Sequence, residues 1–181
     1  AANSLRKYIA ENKLESGCSV CNELLVAGNY AGTKSRMYDE YVNPQWVNLI
    51  TRKSSIKNTL PKVFEFELSN TCNLECTMCS GYFSSTIRKN REKLTPLKMV
   101  YDASFVREVS TFIPTLTDMK FLGGEPFLID IYYDIWEEVV RLNPAVKIHI
   151  TTNATILNNR TKQLLEKLNV GIILSIDSLN K

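Results

Sequence analysis

Residues 63–181 predict an α/β fold built around a parallel sheet, and three observations carry that reading. Four short stretches, 63–68, 117–122, 146–152 and 170–177, show either the two-residue alternation or the continuous apolar run of β-strands. Between them lie segments with apolar residues at helical spacing, and strands separated by helices of about 10 to 15 residues make β/α units. Each strand also ends in residues unlike the rest of the chain: three cysteines after the first, Gly123-Gly124-Glu125-Pro126 after the second, Asn153 after the third, Ser175 and Asp177 at the fourth. Ligands gather at the carboxyl ends of parallel strands, so four such placements on one edge make a site.

The chain of 181 residues has 22 basic and 19 acidic residues and a formal net charge of +3, a mild bias that argues neither for nor against nucleic acid, which is not expected as a partner. A hydrophobic fraction of 44% is that of an ordinary globular protein with a sizeable core. No apolar run approaches the ~18 residues that span a bilayer, and the first residues have no signal-peptide core. A membrane location is therefore not expected. Five cysteines without a secretion signal fit a reducing cytoplasm, where clustered thiols bind metal more often than they pair. A single histidine, His149, leaves little room for mixed Cys/His sites. The sequence does not begin with methionine and stops directly after an apolar run, so a piece of something longer is expected.

Along the chain, residues 4–12 read as a short helix with Leu5, Tyr8 and Ile9 on one side. Gly17-Cys18-Ser19-Val20-Cys21 leads into a helical turn over 22–27 that Gly28 stops. A lone C-x2-C is open to two readings, a pair of ordinary loop thiols or half of a four-cysteine site. The stretch that follows is polar and irregular, broken by Pro44 and Pro61. We divide the chain into a small irregular and helical appendage over 1–45, a linker over 46–62 and the β/α region over 63–181.

Strand 63–68 puts Phe64, Phe66 and Leu68 on one face and Glu65 and Glu67 on the other, a face that is wet or forms a polar pocket. After the cysteines, the stretch 86–98 carries Arg88, Lys89, Arg91, Lys93 and Lys98 and reads as a solvated face, with substrate contact as the second reading. Asp102 or Ser104 caps a helix striped by Phe105, Val109, Phe112 and Ile113. A longer helix over 129–142 turns Ile131, Ile135, Trp136 and Val139 inward and ends at Asn143-Pro144. Leu164, Leu165 and Leu168 mark a third helix, and the continuous run 170–177 is expected to be buried on both faces.

Cys72, Cys76 and Cys79 stand at C-x3-C-x2-C spacing. Three small apolar side chains on one helix face would give the same spacing, but the intervening Asn73, Glu75 and Thr77 are polar and no aliphatic stripe continues the face. The cysteines read as ligands. All-thiolate sites hold zinc or iron–sulfur clusters. Structural zinc wants four ligands, whereas three on one loop would fill three corners of a four-iron cluster and leave the fourth open for chemistry.

On these residues the chain resembles the radical S-adenosylmethionine (radical SAM) superfamily: C-x3-C-x2-C, Gly123-Gly124-Glu125-Pro126, Thr151-Thr152-Asn153 and Ser175-Ile176-Asp177 stand where the family has its motifs. The resemblance implies a partial parallel (β/α)6 barrel of which about four β/α units are present, and a [4Fe-4S] cluster on Cys72, Cys76 and Cys79. It further implies that S-adenosylmethionine chelates the open iron and is cleaved reductively to a 5′-deoxyadenosyl radical that takes hydrogen from a peptide or small metabolite. Gly123 and Gly124 would admit the methionine end of the cofactor, Glu125 with Pro126 behind it would balance the ammonium group, and Asn153, Ser175 and Asp177 would supply polar contacts. An electron donor of flavodoxin or ferredoxin type is implied as partner. Met78 stands where the family usually has an aromatic residue, and the family's later strands are absent. Cys18 and Cys21, with Gly28 and Ser35-Arg36, resemble the tail of an auxiliary iron–sulfur module of the SPASM or twitch type, in which they would be two ligands of a second cluster. Two other readings are a non-catalytic iron–sulfur or zinc protein and an inactive, truncated relative; the Gly-Gly-Glu-Pro motif argues against an electron carrier, which has no need of it.

Overall fold

A computed structural model describes residues 18–33 and 60–176, together with Tyr8, Glu11, Lys13 and Leu14. The chain divides into two units, Ala1–Asn58 and Thr59–Lys181. In the first, α1 (Ser19–Val26) begins at Cys18 and ends at Ala27, whose N–H reaches the Glu23 carbonyl while that of Gly28 reaches the Leu25 carbonyl. The helix starts three residues before its predicted position and so takes in Cys21. A 3-10 turn, Tyr30–Gly32, follows, its Gly32 amide donating to the Asn29 side chain. Most of the helix expected over 4–12, and Gly17, Ser35 and Arg36, lie outside the described residues, as does most of the linker expected over 46–62.

The second unit is a four-stranded parallel sheet in the order β1 (Val63–Phe66), β2 (Asp118–Phe121), β3 (Lys147–Thr152), β4 (Asn169–Leu174). Neighbours in sequence are neighbours in space, and parallel neighbours need a crossover between them. Helices α2 (Ser85–Asn90) and α3 (Ala103–Ser110) join β1 to β2, α4 (Asp130–Leu142) joins β2 to β3, and α5 (Asn159–Leu165) joins β3 to β4. The chain is thus α/β, with the parallel strand succession of a partial β/α barrel.

Strand alternation sorts the side chains. Phe66, Phe121, Ile150 and Ile172 lie in one register row, and Glu65, Lys120, His149 and Gly171 in the next, pointing to the opposite face. The first face meets the helices: Phe66, Met119, Phe121, Ile148 and Ile150 join Val106, Val109, Ile131, Ile135, Trp136 and Val139 in one core. Phe121 stacks on Phe66 at 5.0 Å and meets Tyr132 and Trp136 edge-on, geometries that add about 0.5–1.5 kcal/mol each beyond area burial. The second face is the polar one announced by Glu65 and Glu67.

Local signals set the helix ends. Asp102, not Ser104, caps α3, accepting from the Ser104 amide and hydroxyl, and these bonds hold its carboxyl below the ordinary range. Helix α4 runs within a residue of its predicted start, and its C-cap Asn143 returns its side chain to the Ile113 and Leu116 carbonyls. Two expectations are corrected. The basic stretch begins inside a helix, α2, which the sequence reading passed over. The run at β4 is not buried on both faces: Ile173 and Leu174 are each about half exposed, because β4 pairs only with β3 and no described element covers it.

Candidate functional site

The end of β1 is fixed before the cysteines begin. The Leu68 amide donates to the Tyr132 hydroxyl at 3.0 Å, and that hydroxyl lies 2.7 Å from the Leu122 carbonyl and 3.2 Å from that of Phe66. Tyr132, reaching up from α4, therefore ties the ends of β1 and β2 together. Its burial pushes the phenol pKa up to about 12.

From there the cysteine loop is held by the start of α2. The buried Asn70 gives its side-chain amide to the Gly81 carbonyl and its own carbonyl to the Ser85 amide. The Cys72 amide donates to Ser85 Oγ, and the Cys72 carbonyl accepts from Ser85 Oγ and Thr86 Oγ1. Ser84 does two things at once: its hydroxyl caps α2 by accepting from the Ile87 amide and donates to the Leu74 carbonyl. Further along, Asn90 binds Glu75, and Cys79 donates its amide to the Cys76 carbonyl. The polar residues between the cysteines thus anchor the loop, which leaves all three thiols partly exposed and outside any disulfide. Met78, after the second cysteine, is exposed.

At the end of β2, Gly123 and Gly124 have positive φ, +82° and +49°. A Cβ on Gly124 would stand 2.2 Å from the Thr71 carbonyl oxygen, and one on Gly123 would stand 2.8 Å from that of Ser69. The missing side chains let β2 pass against the backbone of the cysteine loop, and the Glu125 amide then donates to that same Thr71 carbonyl at 2.7 Å. Pro126 opens a short 3-10 turn, where a missing N–H costs nothing.

The Glu125 side chain differs from its expected role. It is fully buried, and its carboxylate accepts from Thr152 Oγ1 at 2.6 Å, the Asn153 amide at 2.8 Å and the Phe127 amide at 3.2 Å. Its acceptor capacity is turned toward the chain's own donors at the end of β3, so it is placed to position neighbours and not to meet a ligand's ammonium group.

Asn153 completes the connection. Its amide nitrogen donates to Asn73 Oδ1 at 3.1 Å and stands 4.0 Å from Cys72 Sγ, while its oxygen accepts from Thr155. Thr155 in turn accepts from Asn73. A continuous polar chain therefore runs from Glu125 through Thr152 and Asn153 to the loop residue beside Cys72. Leu74 adds a backbone N–H 3.5 Å from the same sulfur. The turn is tight enough to hold Ala154 at φ +57°.

The structure thus joins Cys72, Gly123, Gly124, Glu125 and Asn153 through hydrogen bonds and close backbone contact at three strand ends. Ser175 is attached less directly, its amide donating to the Thr152 carbonyl while the residue is exposed. Asp177 lies outside the described residues. Cys18 and Cys21 belong to the first unit, at the N-cap and in the first turn of α1. The sequence reading missed Ser84, Ser85, Thr86, Asn73 and Tyr132; the Ser-Ser-Thr run, a helix N-cap signal five residues after Cys79, was the available clue to the first three.

Among the described residues, no three His, Cys, Asp or Glu side chains converge closely enough to hold a single metal ion. A cubane cluster takes one thiolate at each of several corners, so its ligands stand further apart than those of one ion. Three partly exposed thiols outside any disulfide, with backbone and side-chain N–H groups near Cys72 Sγ, are the donor set such a cluster needs.

Residues 66–181 match the Radical SAM superfamily. Over 133 residues the chain is 26% identical to the radical SAM cyclopropyl synthase TigE of Paramaledivibacter caminithermalis, a match covering 66% of this chain and 28% of that protein. It is 28% identical over 121 residues to the GTP 3′,8-cyclase of Aquifex aeolicus, covering 66% and 36%. The chain therefore spans about a third of the length of these relatives. The solved structure of Streptococcus suis SuiB bound to precursor peptide SuiA superposes with a TM-score of 0.51 at 22% identity, over 98% of this chain and 38% of that one, and so shares the fold. With the family's match covering most of the β/α unit and its cysteine loop, the chain belongs to the radical SAM superfamily.

Proposed function

We propose that residues 63–181 form the amino-terminal part of the catalytic barrel of a radical SAM enzyme that acts on a peptide. The observation that carries this reading is the cysteine loop, pinned on one side by α2 and on the other by the Gly-Gly turn and Asn153, with its three thiols left toward solvent. Cys72, Cys76 and Cys79 would hold a [4Fe-4S] cluster. When bound, the group would supply one-electron reductive cleavage of S-adenosylmethionine, with the electron coming from a flavodoxin or ferredoxin type donor, to give methionine and a 5′-deoxyadenosyl radical that would take a hydrogen atom from substrate carbon.

The protein's share of this chemistry is placement. Ser84, Ser85 and Thr86 fix the carbonyls of the loop so that its backbone does not collapse onto the thiols. Asn153 and the Leu74 amide direct N–H groups at Cys72 Sγ, and N–H donation to a thiolate spreads its negative charge and eases reduction of the group it holds. Gly123 and Gly124 provide open backbone beside the loop for the methionine end of the cofactor, and Ser175 and Asp177 are carried over as polar contacts to its remainder. Glu125 acts through Thr152 and Asn153 as a positioning residue.

The peptide reading is supported by SuiB, which shares this fold and binds a precursor peptide. Cys18 and Cys21 would be two ligands of an auxiliary cluster. No helix among the described residues is long and apolar enough to cross a membrane.

Anaerobic reconstitution with iron and sulfide, followed by reduction with S-adenosylmethionine present, tests the proposal. The expected outcome is 5′-deoxyadenosine formation that Cys76→Ala abolishes; equal yield from the variant would sink the reading. Iron counting in a Cys72/Cys76/Cys79 triple alanine variant tests the auxiliary site, with about four irons retained if it exists and none if it does not.

A further inference from the structure

Helix α2 and the segment 94–101 face the carboxyl end of β1 across a groove of about 600 Å3. The polar lining is one-sided. Arg88, Lys89 and Lys98 contribute cations and Glu67 a carboxylate, and among the described residues neither lysine has an acidic partner. Arg88 is fixed on its wall by donating to the Thr95 carbonyl. Glu92, the acid nearest these cations in sequence, is engaged by the Gly81 amide.

The apolar lining is as unusual. Tyr82, Phe83, Leu94, Leu97 and Met99 all line the groove and all are exposed. A run of this kind, bordered by cations, is the surface of a partner site and not of a solvated charge run. Its position bears on the chemistry too. The Ser85 and Thr86 hydroxyls that line the groove are the ones that bind the Cys72 carbonyl, so an occupant lies against the cysteine loop. Glu67, which also lines the groove, follows Glu65 by two residues at the end of β1.

We propose that this groove docks the peptide substrate through an acidic, extended segment in which Asp or Glu side chains alternate with apolar ones. The acids meet Lys89 on one wall and Lys98 on the other, and the intervening apolar groups cover Tyr82, Phe83, Leu94, Leu97 and Met99. A compact anion would satisfy the cations and leave that strip in water. The proposal rests on the peptide reading given above and specifies which peptides qualify.

The test is an anisotropy titration of the full chain with a fluorescein-labelled dodecapeptide of Glu, Leu and Phe, alongside the same peptide with Gln in place of Glu. The expected result is about tenfold tighter binding of the Glu peptide, a preference that fades with added salt. The Lys89→Glu/Lys98→Glu double variant loses the preference, whereas Lys162→Glu on α5 keeps it. Equal binding of the two peptides, an unchanged preference in the double variant, or tighter binding of inorganic triphosphate than of the Glu peptide each overturns the proposal. The titration needs neither iron nor cofactor. Failed peptide discrimination in a preparation that forms 5′-deoxyadenosine therefore removes the groove alone, and discrimination without 5′-deoxyadenosine removes the radical chemistry alone.

Discussion

A methyl group added at Gly124 meets backbone, the Thr71 carbonyl oxygen at 2.2 Å, at a φ that side-chain-bearing residues avoid. Neither chain can yield without moving the end of β2 away from the cysteine loop. Gly124→Ala is expected to destabilise the protein by about 2–3 kcal/mol, read as a lowered urea midpoint with an unchanged slope. Glu125→Gln should lose about 2 kcal/mol in the same measurement, since a carboxamide has one acceptor oxygen and turns an N–H₂ toward donors that the carboxylate accepted. A midpoint equal to the parent's would show that the buried carboxylate positions nothing. The cysteines were legible in sequence because their spacing is improbable and their neighbours are polar. Glu125 was legible as a site residue but not in its direction, because facing a ligand or facing Thr152 depends on where β3 ends, which no local pattern contains.

At the scale of elements, Tyr132 shows how a helix reaches into a site it does not border. Its hydroxyl joins the last turns of β1 and β2, and burial raises its pKa from 10.0 to about 12. Ionisation is thus easier in the unfolded chain than in the folded one. The stability tied to the neutral phenol is complete below pH 10 and falls as pH rises toward 12. Denaturant melts across that window should show a steeper alkaline loss in the parent than in Tyr132→Phe; identical slopes would mean that the phenol is not the titrating group. Helix α4 was readable because thirteen residues carry a sustained apolar stripe. Helix α2 has six, too few for periodicity to show, and its serine cap was the surviving signal. The run at β4 misled for a different reason. A continuous apolar run marks a strand between two covering layers, and that inference assumes neighbours; among the described residues β4 has one.

The sheet as a whole was foreseen, because β/α alternation leaves few ways to connect the strands. Its two faces differ in kind. One is a dry aromatic and aliphatic core; the other carries Glu65, Lys120 and His149 across the strands, with His149 Nε2 3.9 Å from Asp118. The groove beside α2 escaped the sequence reading since its walls come from the loop before the helix, the helix itself and the segment after it, and only folding sets them opposite one another. The basic stretch had been visible as composition, without a shape.

The polar chain from Glu125 to Asn73 also orders events in time. Cys72 and its loop follow β1, but the residues that hold the far side of that loop, Thr152, Asn153 and Thr155, arrive only when β3 has docked. On a chain emerging from the ribosome with β3 not yet docked, the loop would present three thiols with half its restraints, open to oxidation and to stray metals. Hydrogen exchange should find the 69–79 amides and the 152–155 turn opening as one cooperative unit, so that the loop reaches its full set of restraints only after the third strand has closed the clamp.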